Sequence, residues 1–170
     1  MAIKPILFNT EMVRAILEGR KSCTRRIVKG FIPNDAKWGY TAFTPKGCIS
    51  CRGTFADGYG EKFFKLPCEP RDILYVREEA ARIWLRVTDV RVERLQEITA
   101  DDCHREGINI ETNAVTDGET LNRNHDFSLE KFETLWDSTV KKSDLDCHGW
   151  DANPYVWVIS FERCEKPKGV

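Results

Sequence analysis

Between Gly19 and Arg26 the chain reads Gly-Arg-Lys-Ser-Cys-Thr-Arg-Arg, which sets one lysine and the nucleophiles Ser22, Cys23 and Thr24 among three arginines. No other window places so many nucleophiles beside so much positive charge. Lysine and threonine make a base–nucleophile pair once the lysine has lost its proton. A free lysine titrates near ~10.4, so it needs burial or positive neighbours to act as a base near neutral pH. Arg20, Arg25 and Arg26 are such neighbours. In a regular strand Lys21 and Thr24 would face opposite sides. The pair therefore requires a turn or bulge over 20–23, which Gly19 permits. The competing reading is a solvated basic loop after a helix end, where cations answer the helix dipole.

Glu106 ends a short helix directly before Gly107. There the dipole disfavours negative charge and raises a carboxyl pKa, which suits a general acid. An exposed helix-end glutamate is the plainer alternative. Glu78 and Glu79 close an apolar run, and a carboxylate there either enters a pocket or pairs with Arg77 or Arg82 at the surface. Cys48-x2-Cys51, with Cys68 further on, has part of the spacing of a zinc site. A fourth ligand has to come from Cys147 or His148, and no second paired motif follows, so no metal is assigned. There is no phosphate loop and no Gly-x-Ser-x-Gly elbow, and the chemistry above calls for no cofactor. Trp38 and Trp150 fall in expected loops, where an aromatic either stacks on a base or packs half-buried. Trp136 and Trp157 fall on apolar faces and belong to the core.

Which elements position these residues? Pro5 to Phe8 reads as a strand, and Asn9 or Thr10 caps a helix with Met12, Val13, Ile16 and Leu17 on one face. Gly19 ends it. Residues 24–28 read as a strand. Residues 29–70 are broken by glycines and prolines, with β-like pieces at Tyr40 to Phe43, Cys48 to Cys51 and Lys62 to Leu66 that suggest hairpins. Ile73 to Val76 is apolar on both faces, as a central strand is. Over 83–95 Ile83, Leu85 and Val87 alternate, then Val90 and Val92 resume one residue out of phase, the signature of a β-bulge. Thr99 caps a short helix that stops at Gly107. Residues 109–127 read as a polar loop, Ser128 as the cap of a helix bearing Leu129, Phe132, Leu135 and Trp136, and 142–154 as a second loop. Tyr155, Trp157, Ile159 and Phe161 alternate in a last strand. This order lacks regular βαβ alternation and fits α+β.

The chain has 170 residues, 41% hydrophobic and 31% charged, which suits one globular domain. Its apolar runs fall far short of a bilayer span, and Met1 to Pro5 carries no signal-peptide apolar region, so the expected location is the cytoplasm. A net charge of −1 argues against holding DNA by phosphate neutralisation alone, but leaves room for a local basic patch between Arg14 and Lys29. Seven cysteines, an odd number in a chain expected to be intracellular, do not suggest a disulfide framework.

Gly19-x-Lys21-x-x-Thr24-x-Arg26 resembles the G-x-K-x-x-E-x-R signature of ASCH domains, small β-barrel relatives of the PUA RNA-binding fold. Threonine stands where the signature has glutamate. That departure is similar to the compact bacterial ASCH amidohydrolases that remove acetyl from N4-acetylcytidine. The resemblance implies Lys21 as general base, Thr24 as nucleophile and Glu106 as acid; Arg20, Arg25, Arg26 and Glu78 are the expected substrate-binding residues. The stretches from Ile73 to Glu78 and from Trp150 to Pro154 also resemble uncharacterised phage and prophage ASCH proteins. The match to the compact enzymes covers 5–28, 71–76, 83–108 and 155–163, and the segments 29–70 and 109–154 are insertions that can reshape or cover a pocket. The resemblance implies a single ASCH/PUA-like domain over 1–170, an α+β fold with a mixed β-barrel, flanking helices and long inserted loops. The expected function is an amidohydrolase acting on an N-acylated nucleoside or base. The alternative is a module that binds RNA or a modified base, with or without metal-independent ribonuclease activity. The expected partner is a nucleoside or RNA, with no membrane and no protein partner identified. A phage accessory protein working through protein contacts has no positive feature in the sequence.

Overall fold

Asn9 separates the first strand from the first helix. In the computed structural model, which describes residues 1–77, 82–109 and 118–167 and all their side chains but those of 118–126, β1 spans Ile3–Ile6 and α1 spans Thr10–Leu17. The Asn9 side chain accepts from the Met12 N–H and caps α1, while Gly19, at φ +78°, turns the chain away from it. β2 follows as Cys23–Ile27. β1 starts and ends earlier than the apolar run Pro5 to Phe8 suggests, because Leu7 and Phe8 leave the sheet.

Residues 29–70 build a separate antiparallel sheet of three strands in the order β3-β4-β5, with β3 at Lys37–Gly39, β4 at Cys48–Phe55 and β5 at Gly58–Lys65. The expected strand at Tyr40 to Phe43 is instead a turn segment; Tyr40 and Phe43 are exposed and bury no face. Trp38 is not a loop residue either. It lies in β3 and meets Phe64, Tyr155 and Trp157 edge-on.

The main sheet has five strands in the order β1-β6-β7-β8-β2, where β6 is Ile73–Val76, β7 is Trp84–Arg94 and β8 is Tyr155–Cys164. β1 and β6 run parallel and the remaining pairs antiparallel. The register of β7 on β8 skips between Val87 and Asp89, the bulge that the phase slip signals. Asp72 locks the entry to β6: its carboxylate accepts from the Ala2 and Glu69 N–H groups and pairs with Lys4. Burial works to raise the Asp72 pKa, but those hydrogen bonds and Lys4 outweigh it and hold the carboxyl below its ordinary value.

β8 is buried on both faces from Val156 to Phe161, rather than on alternate residues, because it divides two cores. Trp157, Ile159 and Phe161 face one core with Leu74, Leu85 and Val87. Val156 and Val158 face a second, which holds Cys103 of α2 (Ala100–Arg105) and Phe132 and Trp136 of α3 (Gly118–Thr139). Helix α3 overturns the expected loop over its part of 109–127, and Ser128 is a fully buried residue inside it, not its cap. The segment from Glu119 to Asp126 is nearly all polar, so no apolar period marked it. The expected loop 142–154 contains a 3-10 turn at Lys142–Asp144 and a short α4 at Leu145–His148. Trp150 packs against Phe132 there.

The class is α+β, mostly sheet with flanking helices. No ladder joins the edge strands β1 and β2 among the described residues, so the main sheet is open where a closed barrel would be sealed. No helix among the described residues is long and apolar enough to cross a membrane.

Candidate active site in the gap between the edge strands

A cavity of about 720 Å³ occupies the opening between β1 and β2. The chain just after β1, from Leu7 to Asn9, forms one wall and Thr24 to Ile27 of β2 the other, with Phe132 and Trp136 of α3 closing it. Side chains partly bridge the gap where the backbone does not: the Arg26 guanidinium donates to the Leu7 carbonyl at 3.0 Å. Phe8 lies under both Lys21 Nζ and Arg26 Cζ, each 5.5 Å from its ring centre.

Lys21, Thr24 and Glu106 all line this cavity. Lys21 Nζ donates to Glu106 Oε2 and to the Glu106 carbonyl, each at 2.8 Å. Lys21 and Glu106 are each only 4% exposed and Thr24 2%, so the three are held inside the wall and not on a solvated loop. The irregular backbone this needs is present. After Gly19 the N–H groups of Arg20 and Lys21 both donate to the Ala15 carbonyl, and that of Ser22 to the Arg105 carbonyl, before β2 begins. Lys21 is therefore set in a link, not in the strand, and the alternation rule does not separate it from Thr24. The Thr24 hydroxyl makes no hydrogen bond among the described residues.

Glu106 is the C-cap of α2, and Gly107 follows at φ +96°. It is not the exposed helix-end residue of the plainer reading. Its second oxygen accepts from Arg25 at 3.2 Å, so two cations hold the one carboxylate. Arg25 also donates to Asp102 and Glu93. Burial works to lower the Arg25 pKa, but the charge of Glu106, with those of Asp102 and Glu93, outweighs it and raises the pKa above its ordinary value. Arg25 is thus tied down by carboxylates, whereas Arg26 is exposed at the cavity wall. Arg20 does not line this cavity; it donates to Glu18 and to the Gly107 carbonyl. Glu78 lies outside the described residues.

The other nucleophiles of the stretch do not line the cavity. Burial, with the charge of Glu106 adding to it, pushes the Cys23 thiol up to about 12, far from a thiolate at neutral pH. The Ser22 hydroxyl accepts from Arg105 at 3.4 Å. Cys48 and Cys51 lie in the extended strand β4, where an i, i+3 pair points to opposite faces. Neither they nor Cys68 belong to a group that could hold a metal ion among the described residues.

Sequence reasoning missed the partners of Arg25. Asp102 was visible only as a helix-start residue, and Glu93 had no signal, since β7 comes beside β2 only through β8. Phe8, Arg77 and the wall from α3 were missed for the same reason.

No protein-family model and no curated protein matches the sequence. Among solved structures, the chain is similar to the ASCH domain from Lactobacillus crispatus JV V101, with a TM-score of 0.46 and 10% identity over 95% of this chain and 79% of that one. It is similar to a protein from Enterococcus faecalis V583 at a TM-score of 0.46 and 10% identity, over 96% of this chain and 76% of the other.

Proposed function

We propose that the cavity hydrolyses the amide of an N-acylated nucleoside or base, of the N4-acetylcytidine kind, and that the chain is an ASCH-type protein like the phage and prophage members. One observation carries this: Lys21, Thr24 and Glu106, the three residues the resemblance nominates, line one cavity, with base and acid 2.8 Å apart. A proton shift along that hydrogen bond turns the ion pair into an amine and a carboxylic acid, the two forms the reaction calls for. The Lys21 amine takes the Thr24 proton as the hydroxyl oxygen attacks the amide carbon. Arg26 is the cation placed to steady the resulting oxyanion. As the carbon–nitrogen bond breaks, Glu106 gives its proton to the leaving amine. Lys21 and Glu106 are then again the ion pair. Water adds to the acyl carbon and breaks its bond to Thr24; one water proton restores the Thr24 hydroxyl, and the acid leaves as its carboxylate with the other proton released to solvent. The apolar wall of Phe8, Phe132 and Trp136 suits a flat base.

The test is incubation with N4-acetylcytidine and separation of the products. Cytidine and acetate are expected from the parent protein, and neither from Thr24→Ala. Unchanged substrate, or full activity in Thr24→Ala, would overturn the mechanism.

A second reading is supported by Arg26, Arg77 and Lys141, which are exposed cations on the cavity wall. On this reading the cavity binds an unstacked base of RNA, with or without metal-independent cleavage of the strand. Binding that does not weaken with salt, or that survives Arg26→Ala, counts against it.

A further inference from the structure

Arg20 is the one arginine of the Gly19–Arg26 stretch that the cavity leaves out. It lines instead a groove of about 360 Å³ that shares Met12 and Leu135 with the cavity wall. Three cations converge on this groove from three segments: Arg14 from α1, Arg20 from the link after it, and Lys131 from α3. Against them, among the described residues, the groove wall carries one carboxylate, Glu11, while Glu18 is bonded to Arg20 from outside it. Donors remain on each cation. The Arg14 side chain has no hydrogen bond or ion pair among the described residues. Lys131 donates to the Asn109 carbonyl, and an ammonium has three donors. Three cations gathered from separate segments, with donors unused and one opposing carboxylate among the described residues, form a site for an anion.

Met12 and Leu135 border both spaces, and a nucleotide carries a flat base for the cavity and a phosphate beyond its ribose. We propose that the groove is the phosphate subsite of the same site, so that a nucleotide or an RNA is preferred as substrate to the free base or nucleoside. This rests on the proposal that the cavity takes an acylated base. Arg14 is exposed and Arg20 and Lys131 are half-buried at the surface, so each contributes modestly. Together they correspond to about a tenfold preference for the phosphorylated ligand at low salt.

The experiment compares N4-acetylcytidine with its 5′- and 3′-monophosphates and with a short RNA holding one N4-acetylcytidine. Binding to Thr24→Ala is followed by calorimetry, and hydrolysis by the parent protein is followed in parallel. The expected result is about tenfold tighter binding of at least one monophosphate, shrinking as salt rises. In Arg14→Ala/Lys131→Ala on the same background, the ratio of the two affinities falls to about one. A mononucleotide as good as the RNA assigns the subsite to free nucleotides, and a further gain with the RNA assigns it to the strand. Equal affinities for nucleoside and monophosphates, or a preference that survives the double variant, overturns the subsite. Hydrolysis without phosphate preference removes the subsite and leaves the hydrolase. Phosphate preference without hydrolysis removes the hydrolase and leaves the subsite.

Discussion

Lys21 Nζ lies 2.8 Å from Glu106 Oε2, with both side chains buried, across 85 positions of sequence. Glu106 also holds Arg25, so the two ends of the pair are not equivalent. Glu106→Gln strips the carboxylate from two buried cations and is expected to cost about 3–5 kcal/mol. Lys21→Met leaves Glu106 still bonded to Arg25 and costs less, about 1–3 kcal/mol. Urea unfolding of both variants checks the order. A larger loss in Lys21→Met would show that Arg25 does not share the carboxylate.

Arg25 and Arg26 are neighbours with different work. Arg25 is bonded to Glu93, Asp102 and Glu106 inside the protein, while Arg26 is exposed and reaches the Leu7 carbonyl. Arg25→Ala is expected to lower stability by about 3–5 kcal/mol. Arg26→Ala is expected to change it by about 1 kcal/mol or less. Thermal unfolding separates the two. An Arg25→Ala protein that stays stable but loses ligand would make Arg25 a substrate contact instead of a brace.

Gly107 is required twice over. Its φ is +96°, and a Cβ there would meet Ala15 Cβ at 2.9 Å and Lys21 Cβ at 3.2 Å. Gly107→Ala is expected to cost about 2–4 kcal/mol and to shift Lys21, reducing turnover along with stability. Gly19 also has a positive φ, but nothing lies within 4 Å of its Cβ position, so Gly19→Ala costs only about 1 kcal/mol. Equal losses in the two variants would argue against the close packing of Gly107 on Lys21.

The lowered pKa of Asp72 predicts one part of the acid response. A carboxyl whose folded pKa lies below its unfolded value binds fewer protons when folded. Its stabilisation is full above the ordinary value of 3.8 and disappears as pH falls through the lowered one. The stability gap between the parent protein and Asp72→Asn should therefore be widest near neutral pH and narrow in acid. Denaturant midpoints measured across that range provide the check, and a gap that widens in acid would contradict the assignment.

Local signals were dependable where one residue decides one feature. A cap at Asn9 or Thr10 (the structure uses Asn9), the stops at Gly19 and Gly107, the bulge after Val87 and the central strand Ile73–Val76 were readable, because caps, left-handed glycines and side-chain period act over a few residues. Signals failed where burial comes from a distant partner. The run from Val156 to Phe161 looked half-buried until a second core was found behind it, and the polar start of α3 carried no apolar stripe to reveal a helix.

The site divides along the same line. The residue order sets which groups are available: a lysine, a threonine and three arginines after a helix-ending glycine, with a glutamate before another. It also determined that the link after Gly19 can depart from a strand. Which groups meet is set by the fold. It seats Glu106 on Lys21 and Arg25, turns Arg25 inward to carboxylates that no local pattern marks, and sends Arg20 to a different groove. The reason is physical. Buried charges are tolerated only beside opposite charges, and those partners come from whichever elements packing brings near, at separations that residue spacing does not encode.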